Sequence, residues 1–95
     1  MKFAAIIEYT QDKEKVTHGR PSHRQYLTKL KDLGQMVLCG PFTDDSGALI
    51  VYEAETPEAA EALITGDPFH AHGVFLNWKL RPWNIVMANK SLLPG

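Results

Sequence analysis

The chain is poor in cysteine and contains no long apolar run. Its one cysteine, Cys39, cannot form a disulfide within the chain, which is typical of proteins of a reducing cytoplasm. No segment approaches the ~18 consecutive apolar residues of a membrane-spanning helix. The apolar start of the sequence is interrupted by Glu8, too early for the core of a signal peptide. We therefore expect a cytoplasmic protein with no membrane partner.

The sequence also lacks an excess of charge of either sign. Its 10 Lys and Arg residues against 11 Asp and Glu residues give a net charge of −1. Proteins that bind nucleic acids usually carry a basic excess that attracts phosphates. The composition therefore disfavours nucleic acid as a partner.

The order of apolar runs and turn residues predicts one domain over residues 1–95, with residues 85–95 as a C-terminal extension that adds at most a short strand. β-branched and aromatic runs predict strands at residues 3–9, 36–39, 48–54 and 74–81. Helical spacing and capping residues predict one helix from about Pro21 to Gly34 and another from Thr56 to Gly66. We expect residues 11–19 to form an exposed loop and residues 36–39 to form a buried strand.

This element order, β-α-β-β-α-β, predicts an α+β fold of the ferredoxin-like kind: a four-stranded antiparallel sheet with both helices on one face. The first and third strands are then central. Each of these strands carries apolar residues on both of its sides. In the first strand, one side has Phe3, Ala5 and Ile7, and the other has Ala4 and Ile6. An open sheet face this apolar is a liability in a monomer, so we expect a second copy to cover it in a homodimer. The alternative is that the C-terminal extension folds over the same face.

The topology gathers reactive side chains at one end of the sheet, where loops and helix termini meet. His23 shares the apolar stripe of the first helix with Leu27 and Leu30, so it can connect the core with a pocket. Histidine side chains take and give protons near neutral pH, and a carboxylate commonly orients the ring. Asp67, at the end of the second helix, is the best partner for His23. This pair predicts a proton-transfer site.

Two further residues are candidates for substrate binding. Arg20 lies beside the expected start of the first helix, where an anion or a substrate oxygen is well placed, and Ser22 offers a hydroxyl in the same turn. The alternatives are that Arg20 is merely solvated, that His23 is a core histidine and that Asp67 only caps a turn.

A rival interpretation uses two other histidines. His70 and His72, together with His23, have the residue types that ligate zinc or iron. No compact Cys/His framework supports them, so we expect exposed loop histidines and no metal. Cys39 lies in an apolar strand and is expected to be an inert buried thiol. Because the sequence has neither G-x-G-x-x-G nor a P-loop, no nucleotide or flavin cofactor is expected.

Several short motifs resemble the YCII-related (YciI-like) family. They are Arg20-Pro21-Ser22-His23, Gly34, Gly40-Pro41, Gly47 and Asp67-Pro68-Phe69 with Gly73, and the likeness runs from the first strand to Pro82-Trp83. The resemblance implies a ferredoxin-like fold that pairs as a dimeric α/β barrel. It also implies an active site in which His23 is the histidine and Asp67 the aspartate. The wider group contains small cofactor-independent isomerases, lyases and oxygenases.

These observations predict a cofactor-independent enzyme of lyase or isomerase type that moves a proton on a small-molecule substrate with His23 and Asp67. The alternative is a non-catalytic module of the same fold that binds a small ligand or regulates a partner. A metal-dependent activity through His23, His70 and His72 is the third hypothesis.

Overall fold

The structure is a computed structural model that describes residues 1–94. Within these residues the strands are β1 (Lys2–Tyr9), β2 (Met36–Pro41), β3 (Gly47–Glu53) and β4 (Phe75–Pro82). The helices are α1 (Lys13–Asp32), α2 (Pro57–Thr65) and the single turn α3 (Pro68–Ala71), followed by a 3-10 turn at Lys90–Leu92. The strands form an antiparallel sheet in the order β2-β3-β1-β4. The ferredoxin-like α+β prediction, with β1 and β3 in the centre, is confirmed.

The central strands face the helices with alternate side chains, as the two-residue period of a strand requires. Phe3 lies opposite Tyr52 and Ala5 lies opposite Ile50 in the pairing of β1 with β3. All four are at most 1 % exposed, and the core also includes Val16 of α1. This shared face therefore forms the core between sheet and helices.

The opposite sheet face is only partly covered. Ile6 in β1 remains 50 % exposed, and Trp83, just after β4, remains 43 % exposed. The C-terminal segment reaches β2, where it helps to line a cavity of about 560 Å³, and Val51 on this same sheet face is fully buried. That segment contains no strand within the described residues, so the short strand allowed for residues 85–95 is absent from residues 85–94; Gly95 lies outside the described part.

Helix α1 begins earlier than predicted, and the loop expected at residues 11–19 is wrong. Asp12 caps the helix, because its Oδ1 accepts hydrogen bonds from the backbone N–H groups of Glu14 and Lys15. Aspartate is among the strongest N-cap residues. The polar character of this segment reflects the exposed face of a helix rather than a loop.

The predicted helix start at Pro21 is also wrong, since Pro21 lies well inside α1. Proline has no N–H, so the carbonyl of Thr17 loses its helical partner; both residues are exposed, where water can serve that carbonyl. His23 therefore lies in the middle of a long helix, with its backbone fixed on both sides. The predicted stop is confirmed: Leu33 is the C-cap and Gly34 follows with a φ of +73°.

Strand β2 is an edge strand and is not buried as predicted. It pairs only with β3, and its residues alternate between half-buried and exposed. Cys39 is accordingly exposed, which corrects its assignment as a buried thiol.

Helix α2 begins as predicted, because the Thr56 hydroxyl oxygen accepts a hydrogen bond from the backbone N–H of Ala59 at 3.0 Å. Its buried face is narrow: Ala60 and Ile64 are buried, whereas Ala59 is exposed and Leu63 is half-buried. None of the helices within residues 1–94 is long and apolar enough to cross a membrane.

Candidate active site

His23 and Asp67 are in direct contact. The His23 Nδ1 atom lies 2.8 Å from both carboxylate oxygens of Asp67. His23 is 6 % exposed and Asp67 is 0 % exposed. Buried polar groups are costly unless they are paired, so each side chain satisfies the other. The two residues predicted to meet are therefore brought together.

A short helix that was not predicted positions Asp67. Asp67 is the N-cap of α3, and its Oδ1 also accepts a hydrogen bond from the backbone N–H of Phe69 at 2.9 Å. Pro68 occupies the first turn, where its fixed φ suits a helix start. Capping a turn and contacting His23 are thus two roles of one carboxylate, and the rigid turn fixes its direction.

Aromatic rings hold the imidazole in place. The His23 ring stacks on Phe69, with 3.9 Å between ring centroids, and meets the ring of Phe75 nearly edge-on at 5.9 Å. Gly19, one turn before His23 in α1, leaves the space that Phe69 occupies, because a Cβ there would lie 3.0 Å from Phe69 Cε1. The ring of His23 is therefore fixed from one side by a carboxylate and from others by packing.

This arrangement selects one tautomer of His23. The Asp67 carboxylate accepts the hydrogen on Nδ1, which leaves the lone pair on Nε2. Nε2 has no hydrogen-bond partner among the described residues. Tyr52 Oη is the one described side-chain polar atom that is both unpartnered and fully buried, so Nε2 of His23 keeps some contact with solvent. The arrangement can accept a proton at Nε2 and stabilise the imidazolium through Asp67.

Arg20 and Ser22 lie close to His23 along α1 but make other contacts. The Arg20 Nη2 atom donates to Asp45 Oδ1 at 2.7 Å, which joins α1 to the hairpin between β2 and β3. The Ser22 hydroxyl donates to the carbonyl of Gly19 at 3.1 Å. Arg20 therefore faces the loop end of the sheet, whereas the Ser22 donor is used within its own helix.

Tyr9 belongs to the same end of the sheet and was missed as a chemical group. Its ring packs against Phe69 and Phe75, the two rings that also contact His23. Burial raises the pKa of the Tyr9 hydroxyl to about 12. Its position was readable from the alternation Phe3, Ala5, Ile7, Tyr9, which places it on the helix-facing side of β1.

The other histidines do not join His23. His70 and His72 are exposed, and His70 meets the ring of Trp78 edge-on at 5.7 Å. Within residues 1–94, no group of three or more His, Cys, Asp or Glu side chains is placed to hold a metal ion. The structure thus gives the metal hypothesis no ligand set in the part of the chain that it describes.

Residues 1–84 match the family model described as the YCII-related domain. Protein YciI of Escherichia coli O6:H1 is 34 % identical over 94 residues, and the match covers 84 % of this chain and 96 % of that protein. Protein YciI of Shigella flexneri matches with the same identity and coverage.

A solved structure shares the fold. The 5-chloro-2-hydroxyhydroquinone dehydrochlorinase TftG of Burkholderia phenoliruptrix AC1100, in complex with 2,5-dihydroxybenzoquinone, superposes with a TM-score of 0.76 at 24 % identity. The superposition covers 88 % of this chain and 94 % of that chain. This likeness concerns the fold, whereas the matches in sequence confirm the family predicted from the residues: the chain belongs to the YCII-related family.

Proposed function

We propose that the protein is a cofactor-independent enzyme of lyase or isomerase type in which His23 transfers a proton and Asp67 orients it. The observation that carries the proposal is the 2.8 Å contact of His23 Nδ1 with both oxygens of Asp67, with Nε2 left unpartnered among the described residues. A carboxylate on one ring nitrogen directs the other toward a substrate and stabilises the charge that the ring gains. This is the arrangement that general acid–base catalysis needs.

The proposed substrate is a small molecule held by Arg20 and Ser22. The Arg20 guanidinium has five N–H donors, of which the described contacts use one, so donors remain for a substrate oxygen. The Ser22 hydroxyl already donates to Gly19 and offers only its acceptor lone pairs. The fold neighbour acts on 5-chloro-2-hydroxyhydroquinone, which supports small oxygenated ring compounds as the first to be tested.

The test is a proton-transfer assay that does not require the natural substrate. The purified protein is incubated in D₂O with 5-chloro-2-hydroxyhydroquinone, 2,5-dihydroxybenzoquinone and a set of small ketones and lactones. Loss of C–H signals is followed by proton NMR, and chloride release is followed for the chlorinated compound. We expect catalysed exchange or elimination with at least one compound. In His23→Ala and Asp67→Asn the rate falls by about 10²-fold or more. His70→Ala is the matched control and keeps the wild-type rate.

The alternative, a non-catalytic module that binds a small ligand, is favoured by one observation: His23 is only 6 % exposed. Tight binding of a compound from the set, with no exchange in any of them and no effect of Asp67→Asn on affinity, would contradict the enzyme and support the module.

We also propose a homodimer in which the open sheet faces of two copies meet, forming an α/β barrel. The support is the apolar, half-exposed Ile6 and Trp83, which the C-terminal segment leaves uncovered. Introducing a charge with Ile6→Lys should convert the dimer to a monomer in sedimentation experiments, while Leu76→Lys, another exposed apolar residue, is the control. A wild-type monomer at micromolar concentration would contradict this part.

The cytoplasm is the proposed location, since Cys39 is a free thiol. Residues 1–95 are proposed to form a single domain with residues 85–95 as its extension.

A further inference from the structure

Tyr9 and His23 line the same aromatic corner. Tyr9 is the last residue of β1, and its ring lies edge-on to Phe69 at 5.4 Å and nearly parallel to Phe75 at 6.1 Å. His23 stacks on Phe69 and meets Phe75 edge-on. The register of β1 with β4 shifts between Glu8 and Tyr9, so Tyr9 ends the regular pairing there. Its side chain therefore points from the sheet toward the dyad end of the core.

The hydroxyl of Tyr9 has no hydrogen-bond partner among residues 1–94 although Tyr9 is only 4 % exposed. Buried tyrosines normally find a partner for this group. The Tyr9 hydroxyl also differs from that of Tyr52, which is unpartnered but fully sealed from solvent. The hydroxyl of Tyr9 therefore keeps some contact with solvent, whereas that of Tyr52 has none. Since burial raises the pKa of Tyr9 to about 12, the group keeps its proton in the physiological range and is a donor.

Arg20 adds a positive charge to the same place. It lies one helical turn before His23, so the two side chains share a side of α1. Its guanidinium is anchored on Asp45 at 2.7 Å, and Asp45 itself sits in a turn with a φ of +61° and holds Lys13 through its carbonyl. Burial raises the pKa of Tyr9; among its charged neighbours Arg20 lowers this pKa and so favours negative charge there, whereas Asp45 and Asp67 raise it.

We propose that Tyr9 and Arg20 form an oxyanion-binding subsite beside Nε2 of His23. It would take a substrate whose carbonyl, enol or phenol oxygen becomes negatively charged during proton transfer. The inference rests on the proposed function and adds to it the group that receives the developing charge. Preorganised donors aimed at such an oxygen are usually the largest single contribution to catalysis.

The chemical step balances without any other reactant. The C–H bond next to a substrate carbonyl breaks and its proton forms an N–H bond at Nε2 of His23. The electron pair of the C–H bond becomes a C=C bond, and the carbonyl becomes a C–O⁻ group that accepts hydrogen bonds from Tyr9 and Arg20. Return of the proton to a different carbon restores the carbonyl and completes an isomerisation. Departure of a leaving group with the electron pair completes an elimination instead.

The probe that tests the subsite is 4-nitrophenolate, a coloured and stable mimic of an enolate. Its dissociation constant and its absorption band are measured with the wild-type protein, Tyr9→Phe and Tyr52→Phe, and nitrobenzene is the comparison that lacks the anionic oxygen. Tyr52→Phe is the matched control because it removes a hydroxyl that no ligand can reach. Thermal unfolding shows whether each variant remains folded.

We expect Tyr9→Phe to weaken 4-nitrophenolate binding by about ten-fold or more, the loss typical of a hydrogen bond to a charged group. The affinity of Tyr9→Phe for nitrobenzene should stay near the wild-type value, and so should the affinity of Tyr52→Phe for 4-nitrophenolate. Arg20→Gln, which alters no core residue, should also weaken the phenolate and serves as the second variant if Tyr9→Phe does not fold. Equal phenolate affinity in wild type and variants, or no phenolate binding by the wild type at millimolar concentration, would overturn the subsite.

This outcome is separable from that of the proposed function. The binding of 4-nitrophenolate needs no proton transfer, so His23→Ala should retain the dependence on Tyr9. If exchange assays find no catalysis but Tyr9→Phe still weakens the phenolate, the dyad proposal fails and the subsite stands. If catalysis depends on His23 but the affinity for 4-nitrophenolate is the same in the wild type and Tyr9→Phe, the dyad proposal stands and the subsite fails.

Discussion

The imidazole of His23 lies parallel to the ring of Phe69, with the ring centroids 3.9 Å apart and the planes inclined by 12°. The backbone N–H of Phe69 also donates to Asp67 Oδ1 at 2.9 Å. Phe69 thus holds both members of the dyad, His23 through its ring and Asp67 through its backbone. A change of the Phe69 side chain should therefore disturb His23 while leaving the Asp67 cap intact.

Phe69→Leu should release the imidazole. We expect the ring proton resonances of His23 to move downfield, because they lose the shielding of a stacked aromatic ring, and the free energy of unfolding to fall by about 1–3 kcal/mol. Phe75→Leu is the control, since it removes a buried ring that meets His23 only edge-on at 5.9 Å. Unchanged His23 resonances in Phe69→Leu would show that the stacking does not fix the ring in solution.

Gly19→Ala tests the space that Phe69 occupies. In an open helix interior this change stabilises by up to about 1 kcal/mol. Here the new Cβ would lie 3.0 Å from Phe69 Cε1 and 3.3 Å from His72 Nδ1, so we expect a net destabilisation in urea unfolding. The double variant Gly19→Ala/Phe69→Leu should show a coupling of about 0.5 kcal/mol or more, because the smaller Leu relieves the contact. Additive effects would contradict the close packing.

We expect ionisation of Tyr9 to lower the stability of the folded protein at high pH. The pKa of its hydroxyl is raised by burial from 10.0 to about 12, so folding favours the neutral phenol. The contribution is fully present below the unfolded-state value of 10.0 and is lost as the pH rises toward 12. Across that interval, the wild type should lose about 2 kcal/mol more than Tyr9→Phe. Urea unfolding at several pH values measures the difference, and parallel curves for the two proteins would contradict it.

Cys39 should be a slow nucleophile although it is exposed. Partial desolvation by the surrounding chain raises the pKa of its thiol, and the positive charge of Arg24 opposes this only in part. Because the thiolate is the reactive form, iodoacetamide should alkylate Cys39 more slowly than it alkylates glutathione at neutral pH, and faster as the pH rises. Arg24→Gln should slow the reaction further, as mass spectrometry can follow. A rate above that of glutathione at neutral pH would show an activated thiol instead.

The dyad was predictable because each partner left a signal in the sequence. His23 lies on the same apolar stripe of α1 as Leu27 and Leu30. The topology brings the end of α2 to the end of the sheet where His23 lies. Asp67 followed by Pro68 marks a fixed turn, although the helix α3 that follows is too short to show a period.

The first half of α1 was not predictable in the same way. Its outer face is polar, and within it only Val16 and Gly19 are buried, so the helical period is weak there. Pro21 also looks like a helix start, whereas the cap is Asp12. The role of Tyr9 was hidden because the same alternation that places it in the core says nothing about the partner of its hydroxyl.

The central claim is that Asp67 accepts the Nδ1 hydrogen of His23 and leaves Nε2 free to take a proton. Two-bond proton–nitrogen correlation spectra distinguish the two neutral tautomers of a histidine, with His23→Ala to assign the signal and the exposed His70 as the internal reference. We expect the Nδ1–H tautomer in the wild type. We expect this preference to be lost in Asp67→Asn, where the single amide oxygen must also serve the N–H of Phe69. An Nε2–H tautomer in the wild type, or the same spectrum in Asp67→Asn, would contradict the account.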